Sequence, residues 1–199
     1  LDVDLTDLRH EPSVGGIVLN ARDITVRKAL ERDLRYQATH DTLTGLPNRV
    51  QLLERLARTI AAARRDPNAC FAVLFLDLDR FKLVNDSVGH AVGDELLVEA
   101  GRRIVGSVRG TDMVSRLGGD EYAILAEGLD GPAMAEELGL RVLSALGAPI
   151  WIAGRELFPT ASIGIAMWHP RYDTGEEMLR DADAAMYRAK GTGRDRCTL

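Results

Sequence analysis

The sequence predicts an α+β domain in which helices pack on an antiparallel or mixed β-sheet. Three observations support this fold class. Short apolar runs that are typical of strands alternate with longer segments of helical periodicity. One nearly continuous apolar run, beginning at Cys70, suits a strand buried on both faces. The pair Gly118 and Gly119 between two apolar runs indicates a tight β-hairpin. The predicted order of elements from residue 49 is α-β-αα-β-β-α-β-β-α, an α/β sandwich.

Composition limits the functions that the chain can have. Its 199 residues, 46% of them hydrophobic and 28% charged, are enough for one ordinary core and an appendage. A net charge of −5 argues against a surface for nucleic acid or an anionic membrane, so that a phosphate ligand must be held locally. Two cysteines without metal-ligand spacing, and no apolar stretch near the roughly 20 residues of a membrane span, predict a cytoplasmic protein.

The first 38 residues read as the end of another domain followed by a linker. Residues 14–21 predict a strand, and a helix is expected from Thr25 to Ala38. Its narrow seam of Val26, Leu30 and Leu34 suits a linker helix or a short coiled coil, with a solvated connecting helix as the alternative. The strand followed by "DITVRKALE" resembles the end of a PAS sensor domain. We therefore expect a PAS-like remnant at 1–23, a linker helix at 24–38 and a second domain at 39–199.

The second domain divides into elements at its Gly, Pro and Asp residues. The predicted helices run from about Arg49 to Arg65, Gly93 to Val108, Gly131 to Ala145 and Thr174 to Ala189, with a short helical turn and loop at 81–90. The predicted strands are the apolar run at 70–79, the two arms of the hairpin within 114–125, Pro149 to Ile152, and Glu156 to Trp168.

Acidic residues stand at two strand ends. Asp77 and Asp79 close the buried apolar run, on one face if the chain stays extended, and Asp120 and Glu121 follow the Gly-Gly turn. Carboxylates at the end of a buried strand are costly without positive charge nearby, and Mg²⁺ bound by one or two carboxylates and substrate phosphates would supply it. The plainer alternatives are N-capping by the first pair and solvated charge at the hairpin tip.

The segment that ends the last predicted helix carries a basic pair, Lys190 and Arg194. Paired acids, a metal ion and a cationic clamp are the groups that phosphoryl or nucleotidyl transfer requires, because its catalysis depends on positioning and on neutralising charge. The residues alone therefore predict a nucleotide-handling site without identifying the base.

Several motifs in the right order resemble one family. They are "DTLTGLPNR", "LDLDRFKLVNDSVGHAVGDELL", "RLGGDEYAIL" and "DADAAMYRAKGTGRD", spread over about residues 38–199. This chain resembles the GGDEF domain, the diguanylate cyclase family of signal transduction. The resemblance implies a palm-like, nucleotide-cyclase-type fold with a mostly antiparallel five-stranded sheet. It also implies synthesis of cyclic di-GMP from two GTP molecules held by the two subunits of a homodimer.

The resemblance assigns roles to residues by motif position. Asp77 and Asp120, with the Leu78 carbonyl, would hold Mg²⁺ (or Mn²⁺), and Glu121 would be the general base or an electrostatic helper. The residues implied to bind substrate or to assist catalysis are Asn85 and Asp94 at guanine, Lys82, Lys190 and Arg194 at the triphosphate, and Gly118 and Gly119 at the hairpin backbone. Arg109 and Asp112 fit the RxxD inhibitory site for the product.

One departure and two alternatives accompany this resemblance. Tyr122 replaces the phenylalanine of the family name, which keeps the ring and adds a hydroxyl that needs a partner if buried.

A GTP-binding regulatory module without turnover, controlling a downstream phosphodiesterase domain, is the first alternative to an active cyclase driven by an upstream sensor. A cyclic di-GMP receptor acting through Arg109 and Asp112 is the second. Neither nucleic acid nor direct membrane contact is expected.

Overall fold

The computed structural model describes residues 2–10, 13 and 16–199. The chain divides into two compact units, 1–38 and 39–199. The strands are β1 (Asp2–Leu8), β2 (Gly16–Arg22), β3 (Phe71–Leu78), β4 (Met113–Gly118), β5 (Glu121–Glu127), β6 (Ile150–Ile152), β7 (Arg155–Leu157), β8 (Ala161–Met167) and β9 (Arg196–Thr198). The helices are α1 (Thr25–Thr39), α2 (Arg49–Ala63), α3 (Phe81–Val88), α4 (His90–Ser107), α5 (Pro132–Gly147) and α6 (Gly175–Gly191).

The first unit contains an antiparallel pair, β1 and β2, and most of helix α1. The predicted strand is present as β2, although Val14 and Gly15 lie outside the described residues, and β1 was not predicted. The seam of α1 at Val26, Leu30 and Leu34 is exposed. In the part of the chain that the structure describes, no helix is long and apolar enough to cross a bilayer.

The second unit is built on a five-stranded sheet in the order β4-β5-β3-β8-β9. All neighbouring strands are antiparallel except β8 and β9, which are parallel. Strand β3 lies in the centre, and its side chains from Phe71 to Leu76 are buried on both faces, as its continuous apolar run predicts. The predicted α+β fold with a mostly antiparallel five-stranded sheet is confirmed.

Helices cover both faces of this sheet. One hydrophobic cluster joins one face of the sheet to α3, α4 and α5, through residues such as Leu76, Leu97 and Val142. The other joins the opposite face to α2 and α6, through Leu56, Phe75 and others. The alternation of side chains along each strand divides the apolar residues between these two layers.

The structure corrects two of the predicted boundaries. The segment expected as one strand from Glu156 to Trp168 is two strands, because β7 turns back to pair with β6 and Pro159 stands before β8 begins. Helix α4 begins at His90 rather than Gly93. Strand β9 was not predicted, since three residues carry no recognisable alternation.

Arg103 on α4 links this helix to the end of α5, and Glu99 on the same helix holds Arg103 in place. Hydrogen bonds from Arg102, and then from Arg103, lower the pKa of Glu99 to about 2, although burial opposes them. Arg103 also donates to the Ala145 and Leu146 carbonyls at the C-terminal end of α5, at 3.1 and 3.2 Å. A cation placed there satisfies carbonyl groups that the helix leaves without partners.

We expect Glu99→Gln to lower the free energy of unfolding by roughly 1–2 kcal/mol near neutral pH. Because the folded-state pKa lies below the ordinary 4.5, this stabilisation is complete above the ordinary value and is lost as pH falls toward about 2. Denaturant unfolding of both proteins over a pH series should show a difference that shrinks on acidification. A difference that does not change with pH would contradict this account.

Candidate active site

The two acidic strand ends come together at one edge of the sheet. Asp77 on β3 lies directly opposite Glu121 on β5, and the Leu78 amide donates to the Asp120 carbonyl at 3.3 Å. We call Asp77, Asp120 and Glu121 the acidic tip. The antiparallel register of two buried strands therefore places residues 44 apart in sequence side by side.

The Gly-Gly turn gives the hairpin its shape at this point. Gly118 and Gly119 have φ values of 146° and 53°, and the register shifts between Arg116 and Gly118. Backbone at such positive φ strongly favours glycine. The turn therefore delivers Asp120 and Glu121 at the start of β5 with no side chain covering the preceding backbone.

Neither Asp77 nor Asp79 caps the following helix, so the N-capping alternative is wrong. The N-cap of α3 is Arg80, which makes no side-chain capping bond. Asp79 instead has a fully buried side chain that accepts hydrogen bonds from the Thr160 and Ser162 hydroxyls at 2.9 and 2.8 Å. Its carboxylate also accepts from the Asp195 amide at 3.2 Å. Asp79 therefore fixes the segment after α6.

The acidic tip concentrates negative charge. The pKa of Asp77 is raised by burial and by the neighbouring Asp120 and Asp79, although a hydrogen bond from Lys190 opposes the rise. The pKa of Glu121 is raised by burial, by Asp77, and by Asp183 and Asp120. These carboxylates repel one another, which is typical of a site that binds positive charge.

Two basic side chains reach this region from the end of α6. The Lys190 ammonium lies 2.7 Å from the Asp77 carboxylate. Arg194, whose side chain is about half exposed, lies 3.9 Å from the Asp79 carboxylate. The N-terminus of α6 is fixed by a capping box between Thr174 and Glu177. Two of the three predicted phosphate-binding cations, Lys190 and Arg194, thus lie beside the predicted acids.

The predicted base-reading residues lie on neighbouring helices. Asn85 is on α3, and its side-chain oxygen is buried without a hydrogen-bond partner in the described structure. A Cβ added to Gly93 on α4 would lie 1.9 Å from that oxygen, and Asp94 is the next residue, exposed to solvent. A buried polar atom without a partner is unfavourable unless a ligand or water satisfies it.

The other residues that the sequence analysis singled out lie on α3, in a separate cavity and in the core. Lys82 is exposed in the first turn of α3. Arg109 and Asp112 line a separate cavity, where the Asp112 carboxylate accepts from the Arg109 amide at 2.9 Å. Tyr122 is fully buried, and its hydroxyl donates to the Leu97 carbonyl at 2.7 Å, which satisfies the group that distinguishes it from phenylalanine.

Arg116 is the residue at this site that the sequence analysis missed. Its guanidinium is almost fully buried and donates to the Gly119 carbonyl at 2.7 and 3.0 Å. It also donates to the Asp41 carboxylate at 2.8 Å. Burial raises the pKa of Asp41, but hydrogen bonds from Thr44 and Arg116 outweigh it and hold the pKa low. Arg116 therefore ties the turn at residues 41–47 to the backbone just before Asp120.

We expect Arg116→Met to cost roughly 3 kcal/mol of unfolding free energy, because it removes the buried cation that pairs with the Asp41 carboxylate and takes the side-chain donor away from the Gly119 carbonyl. Denaturant unfolding measures this loss. The matched control is Arg102→Met, since Arg102 is 71% exposed and pairs on the surface with Glu99, so that its loss should cost less than about 1 kcal/mol. Equal losses in the two variants would contradict the assigned role of Arg116.

The donor chemistry of the acidic tip fits a hard divalent cation. In the described part of the chain, no three acidic, histidine or cysteine side chains form a preformed metal site. Mg²⁺, however, needs only one or two carboxylates when substrate phosphates supply further oxygens. Asp77 and Asp120 supply two carboxylates, and the negative charge of Asp120 raises the pKa of Asp77, which shows that the two groups act on each other.

Comparison with known proteins gives consistent matches over the second unit. The profile of the family described as "Diguanylate cyclase, GGDEF domain" matches residues 38–196. The bifunctional diguanylate cyclase/cyclic di-GMP phosphodiesterase MucR of Pseudomonas aeruginosa is 46% identical over 164 residues, covering 82% of this chain and 24% of MucR. Diguanylate cyclase TpbB of the same organism is 43% identical over 162 residues, covering 81% of this chain and 37% of TpbB. The chain thus spans less than two fifths of the length of either relative.

Solved structures show the same likeness. The isolated GGDEF domain of Pseudomonas aeruginosa TpbB has a TM-score of 0.77 and 42% identity, covering 80% of this chain and 93% of that one. The coiled coil and GGDEF domain of DgcB from Caulobacter crescentus, in complex with c-di-GMP, has a TM-score of 0.78 and 27% identity. That match covers 87% of this chain and 91% of the DgcB chain.

Proposed function

The chain belongs to the diguanylate cyclase GGDEF family, and on that premise we propose that it condenses two GTP molecules into cyclic di-GMP. The observation that carries this proposal is the convergence of Asp77, Asp120, Glu121 and Lys190 at one edge of the sheet. In each of two steps, the 3′-oxygen of one GTP bonds to the α-phosphorus of the other. The bond from that phosphorus to the β-phosphate oxygen breaks, and pyrophosphate leaves.

The residues of the acidic tip and its cationic neighbours have separate roles in this proposal. Glu121 accepts the proton of the attacking 3′-hydroxyl or stabilises its transfer, and its raised pKa suits a proton acceptor. Lys190, Lys82 and Arg194 neutralise the triphosphate. The backbone at Gly118 and Gly119 lets the α-phosphate approach the hairpin closely.

Asp77 and Asp120, with the Leu78 carbonyl, would hold Mg²⁺ or Mn²⁺ here. Such an ion supplies charge neutralisation to the phosphates. Lys190, whose ammonium lies 2.7 Å from the Asp77 carboxylate, would exchange that contact for a phosphate oxygen of GTP.

Asn85 and Asp94 would read guanine. A carboxylate accepts from guanine N1–H and N2–H₂, which adenine lacks in this arrangement, and the buried oxygen of Asn85 needs a donor.

We expect Gly93→Ala to raise the KM for GTP roughly tenfold, because the added methyl group displaces the Asn85 amide. The displaced group is a side chain, so the fold should be affected little. Steady-state kinetics with thermal unfolding measures both effects. An unchanged KM in the folded variant would contradict the placement of guanine at Asn85.

Turnover requires two such sites facing each other, and we propose a homodimer. The exposed apolar seam of α1 is suited to pairing with a second copy, and the DgcB structure contains a coiled coil beside its GGDEF domain. An upstream PAS-like sensor remains part of the proposal. The bifunctional relative MucR, a diguanylate cyclase and cyclic di-GMP phosphodiesterase, supports a downstream phosphodiesterase domain as a partner in cis.

Arg109 and Asp112 would form an inhibitory site for the product. Their cavity lies apart from the acidic tip, and both residues can present polar groups to a guanine nucleotide. DgcB was solved in complex with c-di-GMP, which supports binding of the same ligand in this family.

The test is incubation of the chain with GTP and Mg²⁺, with ATP in parallel, and chromatographic separation of the nucleotides. We expect cyclic di-GMP and pyrophosphate to form from GTP, and no cyclic dinucleotide to form from ATP. GTP binding without product in a chain shown to dimerise would favour the regulatory module, and the phosphodiesterase function in the name of the relative MucR supports keeping that alternative. Binding of cyclic di-GMP without binding of GTP would favour the receptor.

A further inference from the structure

A cavity of about 580 Å³ lies beside β4, between α2 and the C-terminal end of α4. We call it the β4 cavity. Leu46, Pro47, Val105 and Met113 supply apolar lining, on which a base could rest. Its charged lining comes from two residue pairs. In the first, the Arg109 backbone amide donates to the Asp112 carboxylate, and in the second, the side chains of Arg55 and Glu127 form a salt bridge. The proposed inhibitory site uses the first pair and leaves the second without a role.

Arg55 is fixed in place rather than free on the surface of α2. Its Nε and Nη2 atoms donate to the two oxygens of the Glu127 carboxylate, at 3.3 and 2.7 Å. Glu127 is fixed in turn by the Thr59 hydroxyl at 2.5 Å. The Arg55 side chain nevertheless remains 41% exposed. Two of the three guanidinium nitrogens therefore bond to Glu127 and fix the orientation of the group.

The third nitrogen, Nη1, bonds to no group in the described part of the chain, and its two N–H donors remain for a ligand. A second link joins the two pairs, because the Glu127 amide donates to the Asp112 carboxylate at 3.3 Å. Arg55 and the predicted product-binding residues thus belong to one connected framework around one cavity.

We propose that Arg55 is a third polar ligand of the β4 cavity and binds a phosphodiester oxygen of cyclic di-GMP. The inference rests on the proposed inhibitory site at Arg109 and Asp112. Cyclic di-GMP carries two anionic phosphodiesters and two guanines, so Arg109 and Asp112 leave part of it without a charged partner. A guanidinium held by a carboxylate loses little side-chain freedom on binding, which favours affinity.

A surface ion pair that only stabilises the fold is the competing explanation for Arg55 and Glu127. The two explanations differ in what Arg55→Gln changes. If the pair is only structural, Arg55→Gln lowers the free energy of unfolding by less than about 1 kcal/mol and leaves the affinity for the ligand unchanged. If Arg55 contacts the ligand, Arg55→Gln weakens binding while the protein remains folded.

The experiment is calorimetric titration of the full chain with cyclic di-GMP, without GTP or metal, and with thermal unfolding of every variant. We expect Arg55→Gln to weaken binding roughly tenfold, as loss of a charge-assisted hydrogen bond does. Arg55→Lys should recover part of the loss, since it keeps the charge without the planar fork. Arg58→Gln, an exposed arginine on the same helix outside the cavity, is the matched control and should bind normally.

Arg109→Ala separates failure of this inference from failure of the site on which it rests. If Arg109→Ala abolishes binding and Arg55→Gln binds like the unmodified chain, Arg55 is not a ligand and the inhibitory site stands. If both variants bind like the unmodified chain, the inhibitory site itself is wrong. Synthesis of cyclic di-GMP from GTP is measured separately, and neither binding result decides whether the chain is a cyclase.

Discussion

Asp120→Asn is expected to reduce cyclic di-GMP formation by at least roughly a hundredfold, as loss of a group that neutralises charge at a transferred phosphate does. The asparagine keeps the size of the side chain but cannot provide a negatively charged metal ligand. The variant should fold normally because the Asp120 carbonyl, which accepts from Leu78, is unchanged. Product formation is measured by chromatography at saturating GTP and Mg²⁺.

The same substitution should leave stability unchanged or raise it when GTP and metal are absent. Asp120 raises the pKa of both Asp77 and Glu121, so that its charge opposes the folded state at neutral pH. Asp130→Asn, an exposed acid outside the site, is the matched control and should retain full activity. Near-normal product formation by Asp120→Asn would contradict the role of the acidic tip.

Gly164→Ala is expected to lower the free energy of unfolding by roughly 3 kcal/mol or more. Gly164 lies on β8 where α6 crosses the sheet. An added Cβ would lie 2.0 Å from the Ala182 carbonyl oxygen and 2.1 Å from the Met186 nitrogen. Both atoms are backbone, so no side-chain rotation relieves the clash, and helix α6 must move away from the sheet.

Moving α6 also affects the site, because the helix carries Lys190 to Asp77. Any folded Gly164→Ala protein should therefore form less product than its folded fraction accounts for. The control is Gly106→Ala on α4, where an added Cβ meets nothing within 4 Å. That change should raise stability by about 0.5–1 kcal/mol, as alanine does in a helix. Similar unfolding free energies for the two variants would contradict the close packing described.

Local sequence patterns predicted the parts of the fold that depend on neighbouring residues. The apolar run became the central strand β3, and the Gly-Gly pair became the turn between β4 and β5. Asp77 and Glu121 lie at the ends of β3 and β5, so the antiparallel pairing of these two strands places the acids opposite each other. The chemistry of phosphate transfer suggested that the basic pair Lys190 and Arg194 belongs with these acids, but no local pattern shows that Lys190 contacts Asp77, which lies 113 residues earlier.

Features that depend on distant residues could not be predicted. Arg116 reads as one polar position on a strand, and its partner Asp41 lies 75 residues earlier. Strands β7 and β9 are too short for alternation to identify them. The unpartnered oxygen of Asn85 and the cavity beside Arg55 arise only when helices meet, which no local pattern encodes.

The most direct test of the central claim is the initial rate of cyclic di-GMP formation from GTP and Mg²⁺ over a wide range of protein concentration, with Glu121→Gln measured alongside. We expect a rate that rises more steeply than protein concentration, because two GTP-loaded subunits must meet, and that is lost in the variant. A rate that is equal in Glu121→Gln and the unmodified chain would contradict catalysis at the acidic tip.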